Sequence, residues 1–430
     1  MTIVADTHGS MTGSMGAETG AGSRTGPSAG REGFWQAGHR PTLLASFLYF
    51  DLSFMVWVLL GPLAVFIAAD LGLNAAEKGL MVATPVLAGA LLRLVAGLMV
   101  DRIGPRRTGI IGQLIVMAGL AAAWSIGLDG FAQVLALGLV LGVAGASFAV
   151  ALPLASRWYP ARHQGTALGI AGAGNSGTAF AALLAPGLAV AFGWTNVFGL
   201  ALIPLAIVFV VFLVLARDAP GRPAARPLRA WAAPLASGDA WWFMLFYGVS
   251  FGGFVGLASS LTLYFNDAYG LDAVTAGYFT AGCVFAGSLV RPLGGAVADR
   301  IGGIRALCVL YLVAAAALAM IATGLPAAWQ ALGVFVVAML ALGMANGSVF
   351  QLVPQRFSAE IGVMTGIIGM AGGVGGFYLA SSLGLARQFT GGYGAGFLIF
   401  AGLALVALGA LLTVKRRWRS TWGARVDARI

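Results

Sequence analysis

The chain has 430 residues, of which 59% are hydrophobic and only 9% charged, against about 25% charged in soluble domains, which excludes an ordinary water-soluble globule. Its net charge of +10 raises nucleic acid as a partner, a reading that the placement of the charge excludes below. The two cysteines, Cys283 and Cys308, lie in apolar runs with neither a disulfide framework nor metal-ligand spacing, so no metal and no cofactor is expected.

Residues 1–40 are rich in Gly, Ser, Thr and Ala. They lack the apolar core of a signal peptide and read as a disordered cytoplasmic tail. Runs of the length and apolarity of membrane-spanning helices follow, at 42–69, 79–99, 108–128, 131–156, 164–190 and 194–216. A Pro- and Arg-rich linker comes next, ARDAPGRPAARPLRAWAAPLASGD. Further runs lie at 239–265, 275–297, 304–324, 330–353, 363–385 and 393–414. The expected organisation is a six-helix bundle at 41–216, a cytoplasmic linker at 217–238, a second six-helix bundle at 239–414 and a basic cytoplasmic tail at 415–430. The 64 glycines suit close packing of membrane helices.

With the N-terminus inside, cytoplasmic segments hold 21 of the 25 lysines and arginines, and the outer loops hold only Lys78 and Arg387. This bias follows the positive-inside rule with both termini in the cytoplasm. Topology therefore accounts for the positive charge, and no nucleic acid is needed. Arg93 and Arg291 remain, inside the membrane.

Those two arginines mark a repeat. GALLRLVAGLMVDRIG (89–104) and GSLVRPLGGAVADRIG (287–302) share eight of sixteen residues at a constant offset of 198, including Asp101/Asp299, Arg102/Arg300 and the arginines themselves. Parallel repeats of this kind build transporters whose substrate site lies near midplane between the halves. An arginine at a helix centre costs about 2.5–3.5 kcal/mol. Arg93 sits eight residues from Asp101, roughly 12 Å inside the cytoplasmic end. One acid, Asp51, is available in the membrane for two arginines, so at least one arginine lacks an internal carboxylate, and a bound anion fills the gap. The flanking glycines at 89, 97, 287 and 295 thin the helix on the arginine's stripe. The alternative is a structural arginine paired with a buried acid or with carbonyls.

GLMVDRIGPRR (97–107) resembles the loop motif of the major facilitator superfamily, and GAVADRIGGIR (295–305) its second-half copy. Within that superfamily the chain resembles the nitrate/nitrite porter family. The segments that carry this likeness are SFMVWVLLGPL (53–63), the two membrane arginines, GASF (145–148), ALGIAGAGNSG (167–177), GMANGSVFQ (343–351) and TGIIGMAGGVGGF (365–377). The resemblance spans all the expected helices. It implies an all-α integral membrane protein of twelve transmembrane helices in two parallel pseudo-repeats, the major facilitator fold, in the inner (plasma) membrane. It implies secondary active transport of nitrate, with nitrite as a further substrate, by alternating access.

The same resemblance implies site residues. Arg93 and Arg291 would clamp one small planar anion, whose oxygens suit the guanidinium fork. Phe148 and Tyr247 would sandwich it, with Phe54 a weaker candidate. Asn175 either orients the anion with its amide or serves as a packing or hinge position. The glycine signatures, Gly172, Gly174 and Gly177 in the first half and Gly372, Gly373, Gly375 and Gly376 in the second, would let backbone come close.

Asp51 has two readings, a structural counter-ion to an arginine or a carboxylate that carries a coupling proton. Family members with an acid in the first helix resemble proton symporters, and those without it resemble nitrate/nitrite exchangers. Asp101, Arg102 and Arg107, with Asp299 and Arg300, read as cytoplasmic gate contacts, and Arg157 as a partner for such an aspartate. No phosphate loop, zinc spacing or Ser/His/Asp set points to an enzyme. The expected partners are nitrate, nitrite, protons and the lipid bilayer, with the chain acting as a monomer. Nitrate/proton symport is the leading reading and nitrate/nitrite exchange the runner-up, with a small-carboxylate carrier and a membrane sensor as further competing readings.

Overall fold

A computed structural model describes residues 33–220, 228–357 and 361–424. Among them, twelve helices are long and apolar enough to cross a membrane: α1 (Arg40–Leu71), α2 (Ala75–Ile103), α3 (Pro105–Ile126), α4 (Phe131–Ser156), α5 (Thr166–Phe192), α6 (Trp194–Leu215), α7 (Gly238–Tyr269), α8 (Ala273–Ile301), α9 (Gly303–Ala322), α10 (Ala328–Arg356), α11 (Ile361–Thr390) and α12 (Gly394–Ser420). They match the twelve apolar runs. Most of the disordered tail expected over 1–40 (its residues 1–32), the middle of the linker (221–227) and the last residues of the tail (425–430) lie outside the described residues.

Local chemistry sets the helix ends. Asn74 and Glu77 form a reciprocal capping box at the start of α2, satisfying two backbone donors at once. Asp272 caps α8 by accepting from the N–H groups of Val274 and Thr275. The Thr275 hydroxyl, helped by these backbone bonds, holds its carboxyl below the usual carboxylate range. Gly104 and Gly302 close α2 and α8 at φ of 90° and 94°. Side chains rarely adopt that conformation, so the glycine of each DRIG motif is a backbone requirement repeated in both halves.

Two ends depart from expectation. The segment KRRWRS, expected as tail, continues α12 to Ser420. Its Trp418 is fully buried and donates its indole N–H to Asp239 at 2.8 Å. Asp239 also pairs with Arg417 and, at 2.6 Å, with Nε of Arg356. This cluster ties the cytoplasmic ends of α7, α10 and α12 together. Arg356 and Arg417 border a cytoplasmic cavity, but both are already committed to Asp239. The second departure is at the N-terminus, where residues 34–39 dock on the cytoplasmic end of α4. There Phe34 stacks on Tyr159 at 4.7 Å and His39 on Trp158 at 4.8 Å.

The halves meet closely in their extracellular portions. A Cβ on Gly79 of α2 would lie 2.7 Å from the Cα of Gly384 in α11, and one on Gly277 of α8 would lie 2.6 Å from the Ala182 carbonyl in α5. Lys78 and Asp267 bridge the halves there at 3.6 Å. Tyr393 adds a hydrogen bond to the same carboxylate at 2.8 Å.

Candidate anion site between the two halves

Several helices break at the middle of the molecule. α1 is interrupted at Val58–Leu59, α4 at Ala146–Ser147 and α8 at Val290. α5 passes through a 3₁₀ turn over Ala173–Ser176. The α8 break has a direct cause, because Pro292 in the first turn of its second segment has no N–H to bond backwards. Non-helical backbone at this depth is tolerated where it lines a protein cavity. In α4, Ala149 N–H turns to the Ala146 carbonyl at 3.0 Å, which leaves the Gly145 carbonyl open to a side chain.

Arg93 takes that carbonyl. It is 1% exposed and donates from Nε to Gly145 at 3.2 Å. Its Nη1 donates across the halves to the carbonyl of Gly369 in α11. Four rings surround the guanidinium, Phe251, Phe148, Trp57 and Phe54, at 5.1, 5.3, 5.4 and 6.0 Å. Its Nη2 is buried and has no hydrogen-bond partner among the described residues. Arg291, at the α8 break, donates from Nη2 to the Tyr247 hydroxyl at 3.2 Å and lies 5.6 Å from the Phe350 ring. Its Nη1 is likewise buried and without a partner.

The aromatic contacts join the two arginines. Tyr247 stacks on Phe251 at 5.1 Å with an interplanar angle of 5°, and Phe251 is the ring nearest Arg93. Phe350 meets Tyr247 edge-on at 5.0 Å and Phe148 at 6.4 Å. Arg93, Arg291, Phe148 and Tyr247, singled out separately in the sequence, therefore belong to one cluster. Phe54 joins it through Phe50 and Trp57. Trp57 is also a packing residue, since its indole donates to the Pro85 carbonyl at 2.7 Å and fills the space left by Gly89 and Gly145.

Asn175 is buried and makes no hydrogen bond to either arginine. Its backbone carbonyl accepts from Thr178 at 2.8 Å and, across the halves, from Ser288 at 3.5 Å. Its side-chain Oδ1 is buried without a partner, so this amide too has unused capacity. Asp51 corrects the counter-ion reading. It pairs with neither arginine and instead accepts a hydrogen bond from Ser176 at 2.7 Å.

Six of the seven signature glycines pack closely against a neighbouring helix. A Cβ on Gly177 would strike the Asp51 carbonyl, and one on Gly174 would lie 2.6 Å from the Phe50 ring. Gly372 faces Tyr247 at 2.7 Å, Gly373 faces the Ala90 Cα at 3.1 Å, Gly375 meets the Gly248 carbonyl, and Gly376 meets Val255. Gly172 faces open space.

At the cytoplasmic end Arg157 pairs with Asp101 at 3.6 Å, while Arg102, Arg107, Asp299 and Arg300 are exposed. Sequence reasoning missed Phe251, Phe350, Ser176 and the carbonyls of Gly145 and Gly369. A signal existed for Phe251, one helical turn after Tyr247, and for Phe350, inside GMANGSVFQ.

The model of the Major Facilitator Superfamily matches residues 45–380. The probable nitrate/nitrite transporter NarK2 of Mycobacterium tuberculosis is 37% identical over 83% of this chain and 91% of its own length. The nitrite extrusion protein of Bacillus subtilis is 32% identical over 85% and 92%. Among solved structures, a bacterial homolog of the human lysosomal transporter Spinster superposes with a TM-score of 0.67 at 18% identity, covering 87% of this chain and 96% of that one. The nucleoside transporter NupG gives 0.67 at 15% identity over 86% and 99%. A multi-pass chain with two six-helix halves, the repeated DRIG motif and this match over most of its length belongs to the Major Facilitator Superfamily and, within it, is homologous to the nitrate/nitrite porters.

Proposed function

We propose that this transporter, which is not an enzyme, moves nitrate, and nitrite as a second substrate, by alternating access across the plasma (inner) membrane. One observation carries the reading. Arg93 Nη2 and Arg291 Nη1 are both buried and without a partner among the described residues, and both guanidinium groups border the same aromatic cluster. Two guanidinium donors left unmade in a low-dielectric site are costly, and a small oxyanion satisfies both at once. The rings around them suit a flat, weakly hydrated anion. An unused Asn175 amide, turned about its last side-chain bond, offers a further donor. The relatives named for nitrate and nitrite support the same substrate class.

In this reading uptake is coupled to protons through Asp51, a membrane carboxylate held by a serine and free of any arginine. The second reading is nitrate/nitrite exchange. It is favoured by the two arginine charges, which oppose closure of an empty site. Nitrate uptake into proteoliposomes under an imposed pH gradient, with no internal nitrite, separates the two. Symport requires gradient-driven accumulation, whereas uptake that ignores the gradient and needs an internal anion contradicts it. Competition decides selectivity, because formate or oxalate displacing labelled nitrate at equal concentration overturns the preference for nitrate over small carboxylates.

A further inference from the structure

The linker between the bundles places one large side chain where the bundles must come together. Trp231 lies in a short helix, Leu228–Ala232, and belongs to neither half. A Cβ on Gly97 of α2 would lie 2.6 Å from its ring atom Cη2, and a Cβ on Gly366 of α11 would lie 3.4 Å from Cζ3. The indole thus touches a helix of each half at once, at their cytoplasmic ends.

Further out the same two helices meet directly. Gly79 faces Gly384, Gly373 faces Ala90, and Arg93 reaches the Gly369 carbonyl. Passing from outside to inside, the α2–α11 seam changes from glycine against glycine to glycines held apart by a ring. The repeat partner of Gly97 is Gly295, whose neighbour is the Gly347 carbonyl at 3.8 Å, with no tryptophan. The device is one-sided, as a linker-borne part must be.

The indole is also incompletely satisfied. Its Nε1 is buried without a hydrogen-bond partner among the described residues, although indole nitrogen can only donate and an unmade buried donor is unfavourable. Packing against the two glycines holds the ring there, and withdrawal returns the N–H to a partner. Such a seat is a removable one. Alternating access rocks one half against the other about the central site, so closing the cytoplasmic side draws α2 and α11 together where the ring stands.

We propose that Trp231 is a wedge that the linker inserts between the cytoplasmic ends of α2 and α11. It holds these two helix ends at the separation seen here and must withdraw before they can close on each other. Gly97 and Gly366 form its seat.

Spin labels on Arg102→Cys and Gly362→Cys, in a chain carrying Cys283→Ala and Cys308→Ala, report the α2–α11 distance by pulsed electron resonance in nanodiscs without nitrate. Trp231→Ala is expected to raise the short-distance population at least about threefold. Trp231→Phe, which keeps a ring, is expected to retain most of the long-distance population. Gly97→Ala fills the seat without weakening the helix and is expected to reproduce the Trp231→Ala shift. Distance distributions that stay the same in both Trp231→Ala and Gly97→Ala overturn the wedge.

Discussion

Nη2 of Arg291 donates to the hydroxyl of Tyr247 at 3.2 Å, so one arginine of the repeat is held by a side chain of its own half. Its counterpart Arg93 is held by backbone, at Gly145 and across the halves at Gly369. The repeat is thus equal in charge and unequal in support. Arg93 is fixed through two nitrogens and Arg291 through one, and each keeps one nitrogen unused, which is the arrangement for gripping something between them.

Lysine keeps the charge at either position and loses the fork. Arg93→Lys cannot hold both carbonyls and also reach a ligand, and Arg291→Lys cannot both bond Tyr247 and reach one. Each substitution should lower nitrate uptake into proteoliposomes by about 10- to 100-fold, the worth of a charge-assisted hydrogen bond. Near-normal uptake in either variant means that charge alone suffices.

Asp51→Asn keeps the shape of the side chain and the Ser176 contact but removes the titrating group. Nitrate accumulation driven by a pH gradient should vanish, while nitrate/nitrite counterflow persists. Accumulation at the level of the unaltered protein removes Asp51 from the coupling scheme.

Two neighbouring glycines should behave oppositely. Gly177→Ala drives a methyl into the Asp51 carbonyl, an overpacking that costs about 1–3 kcal/mol, and should lower the melting temperature in detergent. Gly172→Ala meets nothing within 4 Å and gains helix propensity of about 0.5–1 kcal/mol, so it should be neutral or stabilising. Equal losses from both would contradict the assignment of the signature to helix packing.

At the outer face, Lys78→Ala removes the ion pair to Asp267 that spans the halves. A partly exposed pair is worth about 0.2–1 kcal/mol, so the outward-open population should rise by up to about fivefold, and less at high salt. Labels on the extracellular ends of α2 and α7 measure it. No shift at low salt leaves the pair without a gating role.

The sequence carried the parts of this molecule that depend on composition and period. The spans, their orientation and the repeat are legible because lipid imposes length, apolarity and the placement of charge. Arg93 and Arg291 are legible because arginine is conspicuous among apolar residues. Phe251 and Phe350 were not, since 26 phenylalanines make any one of them inconspicuous, and only the fold selects those stacked on Tyr247 or lying beside an arginine. The Gly145 carbonyl was hidden for another reason: a broken helix 4 is a tertiary outcome, and glycine alone does not announce it. The glycine signatures were visible as motifs, but whether a missing Cβ admits a ligand or a helix depends on what stands opposite. At Gly177 that is the backbone of Asp51.

The central claim is that one anion is held by both arginines together. Equilibrium nitrate binding to the purified protein, to Arg93→Lys, to Arg291→Lys and to the double variant tests it most directly. One nitrate per chain is expected, with each single variant weakening binding and the double variant losing far less than the two single losses combined. Two nitrates per chain, or losses that simply add, would contradict a shared clamp.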